Sequence, residues 1–365
     1  MPGHVRLDTF GSVSTAQTGL TFPAVSTDNT PPVDAAPSAP ASSSVTRRHV
    51  LALAASVPLA ACGGGSGGDS PASAPPPPPA GSPPAGSPPA NPPPADPPAS
   101  SPGTGTPANK SAKRGIAYDL KATGDVAALA PGVSWWYNWS SNTTVASAVA
   151  TANAMDFQPM LWNGVFNDAQ IIAGLKAAPA VKYLLLLNEP NLVDQANLTP
   201  AAAAALWPRY EAIAANTGVK LVGPQITWGT MANFADPVVW LDAFYAAYRA
   251  ANGNRDPHID HLAFHWYDYG LDDQLKRLEK YGKPFWVTEF ANWHKGDGNA
   301  QIDTVEKQKK QMTELVAVCE GRADVIRYAW FTGRWDNDTH HTSLLGATGQ
   351  LTELGQHYLS LPYKT

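Results

Sequence analysis

The chain has 365 residues and a formal net charge of −5, and charged residues make up only 15% of it. This sparse, slightly acidic charge excludes the basic surface that nucleic-acid binding requires and suits a neutral partner. The two cysteines, Cys62 and Cys319, lie in different regions of the chain, which also excludes a disulfide framework.

Large side chains are distributed unevenly along the sequence. All 12 Trp and all 12 Tyr lie from Tyr118 onward, whereas 24 of the 35 Pro precede residue 113. The first third of the chain therefore has little apolar surface to bury, while the remainder has enough for one sizeable core. We predict a leader over residues 1–62, a linker over 63–112 and one globular domain over 113–365.

The leader has the pattern of an export signal. Arg47 and Arg48 precede the apolar run Val50–Ala61, which resembles a twin-arginine signal. A helix of this length spans only about 18 Å, less than the roughly 30 Å of a bilayer core, so the run is too short to cross a membrane. The small residues before Cys62 resemble a bacterial lipobox and predict lipidation of Cys62, with the protein exported and anchored at the cell envelope, periplasmic or on the cell surface. Cleavage by the ordinary signal peptidase, giving a soluble secreted protein, is the alternative.

The linker is dominated by proline. Residues 63–110 contain 17 Pro, together with much Ala, Ser and Gly. Such a segment cannot bury enough surface to offset its ordering entropy, and its prolines favour extended polyproline II structure. We predict a disordered spacer that holds the domain away from a membrane; a ligand for proline-binding modules is the alternative.

Residues 113–365 alternate short aromatic or β-branched runs with longer amphipathic stretches. Strands separated by helices pair in parallel, and eight such units in about 250 residues predict an α/β fold of the (β/α)8 TIM barrel type. An open doubly wound sheet is the competing architecture, but no Gly-x-Gly-x-x-Gly follows the first run. The eight runs begin at Gly115, Val133, Phe157, Lys182, Lys220, His261, Pro284 and Ile326.

Several helices have recognisable signals. Thr199 and Asp236 each precede a proline, which places a capping oxygen at the N-cap and proline at the first helical position. A further helix is predicted over Gln301–Cys319, with Cys319 as a small buried hydrophobe.

Two glutamates follow or end strands of the predicted barrel. The fourth run ends in Asn188 and Glu189, and the seventh ends in Glu289. Active groups of such barrels project from the C-terminal ends of the strands, so we expect both glutamates at one rim. A pair of carboxyl groups supplies what glycosidic cleavage needs, since one donates a proton and the other attacks or supports the anomeric carbon. The sequence therefore predicts a glycoside hydrolase site.

With these residues in place, the sequence resembles the retaining (β/α)8 glycoside hydrolase clan. More closely, it resembles glycoside hydrolase family 128, the β-1,3-glucanases related to fungal alkali-sensitive linkage proteins. The resemblance covers nearly all of residues 113–365. The motifs that carry it are Arg114–Tyr118, Ser134–Trp139, Phe157–Trp162, Leu187–Asn191, His265–Tyr267 and Trp286–Phe290.

The resemblance implies a retaining, endo-type β-1,3-glucanase. Glu189 would be the general acid/base and Glu289 the nucleophile, with the carboxyl groups about 5–5.5 Å apart. Asn188 would face the sugar 2-hydroxyl, although it could instead organise the turn that follows. His265 and Tyr267 share a strand face, so we expect Tyr267 to hold Glu289 and His265 to line the pocket; core packing is the alternative. No cofactor is expected, and no metal, because the histidines lack zinc spacing.

Aromatic residues near strand ends are candidate platforms for sugar rings, whose C–H faces stack on them. Core packing is the alternative for each, as it is for the helical Trp207 and Trp240, which we expect in the core. Trp162 and Trp330 are favoured by their positions at strand ends. The candidates are Trp139, Trp162 with Asn163, Trp228, Trp293 and Trp330.

Two rival functions stay open at this point. One is a non-catalytic glucan-binding protein of the cell envelope, and the other is the same chemistry on another β-glycan, such as β-1,4-mannan or β-1,6-glucan. The expected partners are a neutral β-glucan and, through the lipid anchor, a membrane. We expect a monomer that binds no nucleic acid.

Overall fold

The computed structural model describes residues 110–296 and 298–364. The predicted leader, the lipidation candidate Cys62 and residues 63–109 of the predicted linker lie outside the described residues. Among the described residues, no helix combines the length and the apolar character needed to cross a membrane.

One sheet of nine parallel strands organises the described chain. Its order is β3-β2-β1-β9-β8-β7-β6-β5-β4, so most neighbours in the sheet are also neighbours in sequence. The strands are β1 (Arg114–Ala117), β2 (Trp135–Tyr137), β3 (Asp156–Phe157), β4 (Met160–Leu161), β5 (Tyr183–Leu186), β6 (Lys220–Ile226), β7 (His261–Trp266), β8 (Phe285–Phe290) and β9 (Val325–Trp330).

The two ends of this strand order come from one short stretch of chain. Only Gln158 and Pro159 separate β3 from β4. The Gln158 N–H donates to the Trp136 carbonyl at 2.9 Å, and the Pro159 carbonyl accepts from the Leu185 N–H at 2.9 Å. The same stretch therefore bonds to β2 on one side and to β5 on the other, and the curled parallel sheet is consistent with a TIM-like barrel. The predicted third strand is divided here, at a proline that has no N–H to donate.

Helices alternate with the strands, as parallel pairing requires. Thr199 accepts from the Ala202 N–H at 3.2 Å and Asp236 accepts from the Val238 N–H at 2.8 Å, so both predicted caps are confirmed. The helices are α1 (Thr123–Leu129), α2 (Ser147–Ala152), α3 (Asp168–Ala177), α4 (Pro200–Thr217), α5 (Pro237–Ala251), α6 (Leu271–Leu278), α7 (Val305–Gly321) and α8 (Glu353–Ser360), with 3-10 turns at Glu279–Tyr281 and Gly298–Ala300.

Two hydrophobic clusters pack on opposite faces of the sheet. The larger one lies between the sheet and the helices and contains Trp207, Trp240 and Cys319, all fully buried as predicted. The smaller one contains Trp135, Tyr137 and other residues that point to the inner side of the curl. Side chains at the C-terminal ends of the strands on this inner side form the candidate site.

The folded part begins earlier than the predicted boundary at residue 113. The Lys110 ammonium donates to the carbonyls of Ala130 at 2.9 Å and Val133 at 2.7 Å. The buried Ser111 hydroxyl donates to Glu320 at 2.5 Å. Residues 110–112, assigned to the linker from composition, therefore belong to the packed unit.

Candidate active site

Glu189 and Glu289 meet on the inner side of the sheet. Glu289 is the fifth residue of β8, and Glu189 lies three residues after β5. One carboxylate oxygen from each and a ring nitrogen of His265 all lie within 4.8 Å of one another. The nearest carboxylate oxygens of the two glutamates are therefore at most 4.8 Å apart, close enough for both carboxyl groups to face one bond of a bound molecule.

Three hydrogen-bond donors converge on the Glu289 carboxylate. Tyr137 Oη donates to Oε1 at 2.8 Å and Trp139 Nε1 donates to the same oxygen at 2.6 Å. The Tyr267 hydroxyl donates to Oε2. An ionised carboxylate only accepts hydrogen bonds, so this setting favours the anion and fixes its orientation. Tyr267 therefore holds Glu289 as expected from the sequence.

Tyr267 remains a donor over a wide pH range. Burial, together with the nearby charges of Glu289 and Glu189, raises the pKa of the Tyr267 hydroxyl well above its usual value of 10.0. The phenol therefore keeps its proton at neutral and moderately alkaline pH.

The backbone around Glu189 is strained. Leu187 and Glu189 have left-handed φ angles of 55° and 45°, which non-glycine residues rarely adopt. The Glu189 N–H donates to the Gln225 carbonyl at 2.9 Å, and the Asn188 N–H donates to the Trp162 carbonyl at 2.9 Å. Neighbouring strands thus impose the conformation that aims the Glu189 side chain at His265. Strain of this kind clusters at functional sites.

His265 is fully buried between the two glutamates. Its Nδ1 lies 2.9 Å from Glu189 Oε1 and 3.6 Å from Glu289 Oε2, and its Nε2 lies 3.2 Å from Gln225 Oε1. The Gln225 amide nitrogen contacts the Met160 sulfur at 3.3 Å, so the amide oxygen faces the imidazole. We assign the proton of a neutral His265 to Nε2 on this basis, which makes Nδ1 an acceptor for a protonated Glu189.

Asn188 lies beside Glu189 and is fully buried. Its amide nitrogen donates to Gln195 Oε1 at 2.9 Å. Its amide oxygen is buried and has no hydrogen-bond partner in the described part of the chain.

A family model described as "Glycosyl hydrolase catalytic core" matches residues 115–358. A family 128 (subgroup II) endo-β-1,3-glucanase from Pseudomonas viridiflava is 61% identical, with a TM-score of 0.69 over 70% of this chain and 100% of that one. The chain belongs to glycoside hydrolase family 128. The predicted family resemblance is confirmed.

Two more distant relatives extend the comparison of this family 128 member. A subgroup I endo-β-1,3-glucanase from Amycolatopsis mediterranei, solved in complex with laminaritriose, is 26% identical, with a TM-score of 0.53 over 68% of this chain and 99% of that one. Alkali-sensitive linkage protein 1 of Schizosaccharomyces pombe is 27% identical over 266 residues, 68% of this chain. The matched region is 45% of that protein, so this chain spans about half the length of its curated relative.

Most of the predicted sugar platforms of this family 128 site lie near Glu289. Trp139 bonds to it directly. Trp162 and Asn163 are half-buried and line a cavity of about 180 Å³ that Trp139 also borders. Trp293 stacks on Tyr267 with ring centroids 4.0 Å apart. These four residues, unlike the other candidates, surround the nucleophile candidate or the cavity next to it.

The position of Trp330 contradicts its predicted role as a sugar platform. It is fully buried, its Nε1 donates to the Thr342 carbonyl at 2.8 Å, and it packs edge-to-face on Phe290 at 5.2 Å. Its side chain points to the helices, not to the inner side of the sheet, so it presents no face to a sugar. Trp228 is 46% exposed and contacts α6 rather than either glutamate.

Several residues of the site were not predicted from the sequence. Tyr137 contacts Glu289, and Gln225 contacts His265. The rings of Phe331 and Trp335 lie beside Trp293, with centroid distances of 5.6 and 5.5 Å. Tyr137 alternates with Trp135 and Trp139 along its run, and this spacing could have placed Tyr137 on the same strand face as Trp139. Gln225 lies outside the predicted fifth run, which covers Lys220–Gly223, because β6 continues to Ile226.

The atoms of Glu189, His265 and Glu289 also have the types and spacing of metal ligands. Hydrogen bonds from Tyr137, Trp139 and Tyr267 occupy both oxygens of Glu289, however. The site therefore fits a hydrogen-bonded carboxylate pair better than a cation site.

Proposed function

We propose that this chain is a retaining, endo-type β-1,3-glucanase, with Glu289 as nucleophile and Glu189 as general acid/base. The observation that carries the proposal is the pair of buried carboxylates within 4.8 Å, one of them held by three donors. The catalytic domain would be a (β/α)8 barrel whose third strand is divided at Pro159.

The first step forms a glycosyl ester. Glu189 donates its proton to the glycosidic oxygen as the bond to the anomeric carbon breaks, and a Glu289 oxygen attacks that carbon from the opposite face. In the second step, the Glu189 carboxylate takes a proton from water, whose oxygen attacks the anomeric carbon and releases Glu289. Two inversions restore the β configuration.

His265 would position the acid. With its Nε2 proton directed to Gln225, Nδ1 accepts the hydrogen bond of a protonated Glu189. This contact would orient the carboxyl group of the residue that must donate its proton. Asn188 would add a hydrogen-bond acceptor for a hydroxyl of the sugar next to the scissile bond.

The substrate class follows from the walls of the site and from the relatives. The aromatic side chains Trp139, Trp162 and Trp293 suit the C–H faces of a neutral sugar chain. The family 128 relatives from Pseudomonas viridiflava and Amycolatopsis mediterranei are described as endo-β-1,3-glucanases, and the second was solved with laminaritriose. The aromatic walls suit any neutral glycan, and it is the relatives that favour a β-1,3-glucan over β-1,4-mannan or β-1,6-glucan.

A substrate panel tests this proposal. The purified protein should release oligosaccharides from laminarin and curdlan and leave β-1,4-mannan and β-1,6-glucan intact. NMR of the first products should show the β anomer before mutarotation. An early α anomer would exclude retention, and binding without turnover would favour the non-catalytic alternative.

We further propose that Cys62 carries a lipid and that the protein is a monomer tethered at the bacterial cell envelope. The support is the sequence of the leader and the proline-rich stretch after it. Cys62→Ala should move the protein from the membrane fraction to the soluble fraction. Recovery of this variant in membranes would contradict the proposed anchor.

A further inference from the structure

Exposed apolar side chains are concentrated on one part of the molecule. Of the five large hydrophobic side chains that are exposed in the described residues, four follow β4, β5, β6 and β7 in turn: Val165, Val193, Trp228 and Tyr269. Loops after parallel strands emerge at the same edge of a sheet. These side chains therefore lie along the rim on which Glu189 is carried. The fifth, Val239, belongs to α5.

Trp228 is held rigidly although it is exposed. Its indole N–H donates to Gln274 Oε1 at 2.9 Å, and the Arg277 guanidinium carbon lies 5.1 Å from its ring centroid. Arg277 is fixed in turn by Asp236 at 2.5 Å. These contacts fix the orientation of a ring that leaves 46% of its side chain open to solvent.

Tyr269 is braced in a similar way. Its hydroxyl donates to the Ala300 carbonyl at 2.7 Å, and its ring meets His294 edge-on at 5.2 Å. The side chain is still 37% exposed. Both aromatic residues thus bind protein through their polar tips while part of each ring faces solvent.

The loop of Trp228 is joined to the loop that carries Glu189. The Asn191 carbonyl accepts from the N–H groups of Thr230 at 3.1 Å and Met231 at 2.9 Å, and the Asn191 amide donates to the Thr227 carbonyl at 2.6 Å. A Cβ at Gly229 would lie 2.1 Å from the Asn191 carbonyl oxygen, so only glycine permits this approach. The rim is therefore continuous with the acid/base loop.

We propose that Trp228 and Tyr269 form a second glucan-contact surface, the rim surface, which binds units of a β-1,3-glucan chain beyond those held at the two glutamates. This inference rests on the proposed function. Sugar rings stack their C–H faces on aromatic rings. The polar groups of Gln274 and Arg277 lie beside Trp228, where they could form hydrogen bonds with the hydroxyl groups of the sugar. Because the rings are already held, ordering them on binding costs little entropy.

Chain-length dependence tests the rim surface. We would measure kcat and KM of the full chain on laminari-oligosaccharides of increasing length and on laminarin, for the wild type, Trp228→Ala, Tyr269→Ala and Trp228→Phe. Trp228→Ala should raise KM for laminarin roughly three- to tenfold with kcat unchanged, and should leave the shortest cleaved oligosaccharide within about twofold. Tyr269→Ala should act in the same direction, and Trp228→Phe should recover most of the loss. Val239→Ala, which removes an equally exposed apolar side chain from α5, is the control and should change nothing.

The outcomes separate this inference from the proposed function. If Trp228→Ala loses the same factor at every chain length, or at none, while the wild type cleaves β-1,3-glucan, the rim surface is rejected and the proposed function stands. A wild type that cleaves no member of the series rejects both.

Discussion

Aromatic rings crowd both ends of the sheet, but the two ends use them in opposite ways. At the C-terminal end, Tyr137, Trp139 and Tyr267 direct their O–H and N–H groups at the Glu289 carboxylate. The polar edges of the rings thus surround an anion.

At the N-terminal end, aromatic residues enclose a cation. The Arg327 guanidinium carbon lies 4.9 Å from the Trp286 ring centroid, 5.2 Å from that of Tyr183 and 5.6 Å from that of Trp135. Burial lowers the pKa of Arg327, and the Asp156 carboxylate lies 3.9 Å away. The faces of the rings are the main surroundings of this charge.

The contrast follows from the charge distribution of aromatic rings, whose faces are negative and whose edges are positive. Similar residues can therefore surround either the carboxylate that we propose as the nucleophile or a cation that is part of the packing. In barrels of this kind, chemistry belongs to the C-terminal end and stability to the N-terminal end. Variants at the C-terminal end should lose turnover and keep stability, and variants at the other end should do the reverse.

The largest expected effect is that of Glu289→Ala. If Glu289 is the nucleophile as proposed, its loss should lower kcat on laminarin roughly 10⁴-fold or more, because no glycosyl ester can form. Azide added to this variant should attack from the face that Glu289 occupied and give an α-glycosyl azide, identified by NMR. The thermal midpoint should stay within a few degrees of the wild type. A β-glycosyl azide, or nearly unchanged turnover, would reject the assigned role.

Glu189→Ala should have the next largest effect, and one that depends on the leaving group. Loss of the general acid should lower kcat/KM on laminarin roughly 10³-fold. A β-glucoside with a dinitrophenolate leaving group needs no protonation, so formation of the ester from it should slow far less. Azide should here give the β-glycosyl product. Equal losses in the rate of ester formation on both substrates would show that Glu189 is not the acid.

Tyr267→Phe should have a moderate effect on turnover. Removing one donor to the Glu289 anion should lower kcat by about 10- to 100-fold, with KM within about threefold. Since the pKa of Tyr267 is raised well above 10.0, its hydroxyl is protonated throughout the working range. The alkaline limb of the pH profile should therefore not move in the variant.

Tyr183→Phe is the matched control at the opposite end of the sheet. Tyr183 packs against Arg327 and Trp286 and touches neither glutamate in the contacts described above. The kcat of Tyr183→Phe should match that of the wild type. A similar loss of kcat in both tyrosine variants would contradict the division between the two ends.

Much of this arrangement could be predicted from sequence, because it depends on topology rather than on detail. Once helices and strands alternate, the strands pair in parallel, and residues that end different strands arrive at one rim. The meeting of Glu189 and Glu289 required no knowledge of any side-chain contact. The helix caps at Thr199 and Asp236 could also be predicted, because each depends only on the residues next to it in the sequence.

The features that could not be predicted from the sequence depend on the direction in which individual side chains point. At the end of β9, Ala329 and the following residue Phe331 belong to the inner cluster, while Trp330 points to the helices. A shift of one residue would have reversed this. Trp286 and Glu289 both belong to the inner side although they are three residues apart, because the register of β8 against β9 shifts between them. Alternation in the sequence does not reveal such irregularities.

The left-handed backbone at two site residues had no sequence signal either. Trp139 has a φ of 61° and Glu189 one of 45°. Neither glycine nor asparagine marks these positions, and hydrogen bonds from neighbouring strands, which are distant in sequence, impose the conformation at Glu189. The direct contact of Trp139 with Glu289 was therefore found only in the structure.

The smallest expected effect is at the N-terminal end and appears in stability alone. Burial, with the positive charges of Lys220 and Arg327, lowers the pKa of His261 from 6.5 to about 4. Between these two values the unfolded chain binds more protons than the folded one, so stability should fall as the pH drops from 6.5 to 4, by at most about 3 kcal/mol. Urea unfolding at several pH values should show a weaker pH dependence in His261→Gln, with kcat at pH 7 unchanged. If His261→Gln keeps the wild-type pH dependence of stability, the buried imidazole is not the group that makes this end of the sheet sensitive to acid.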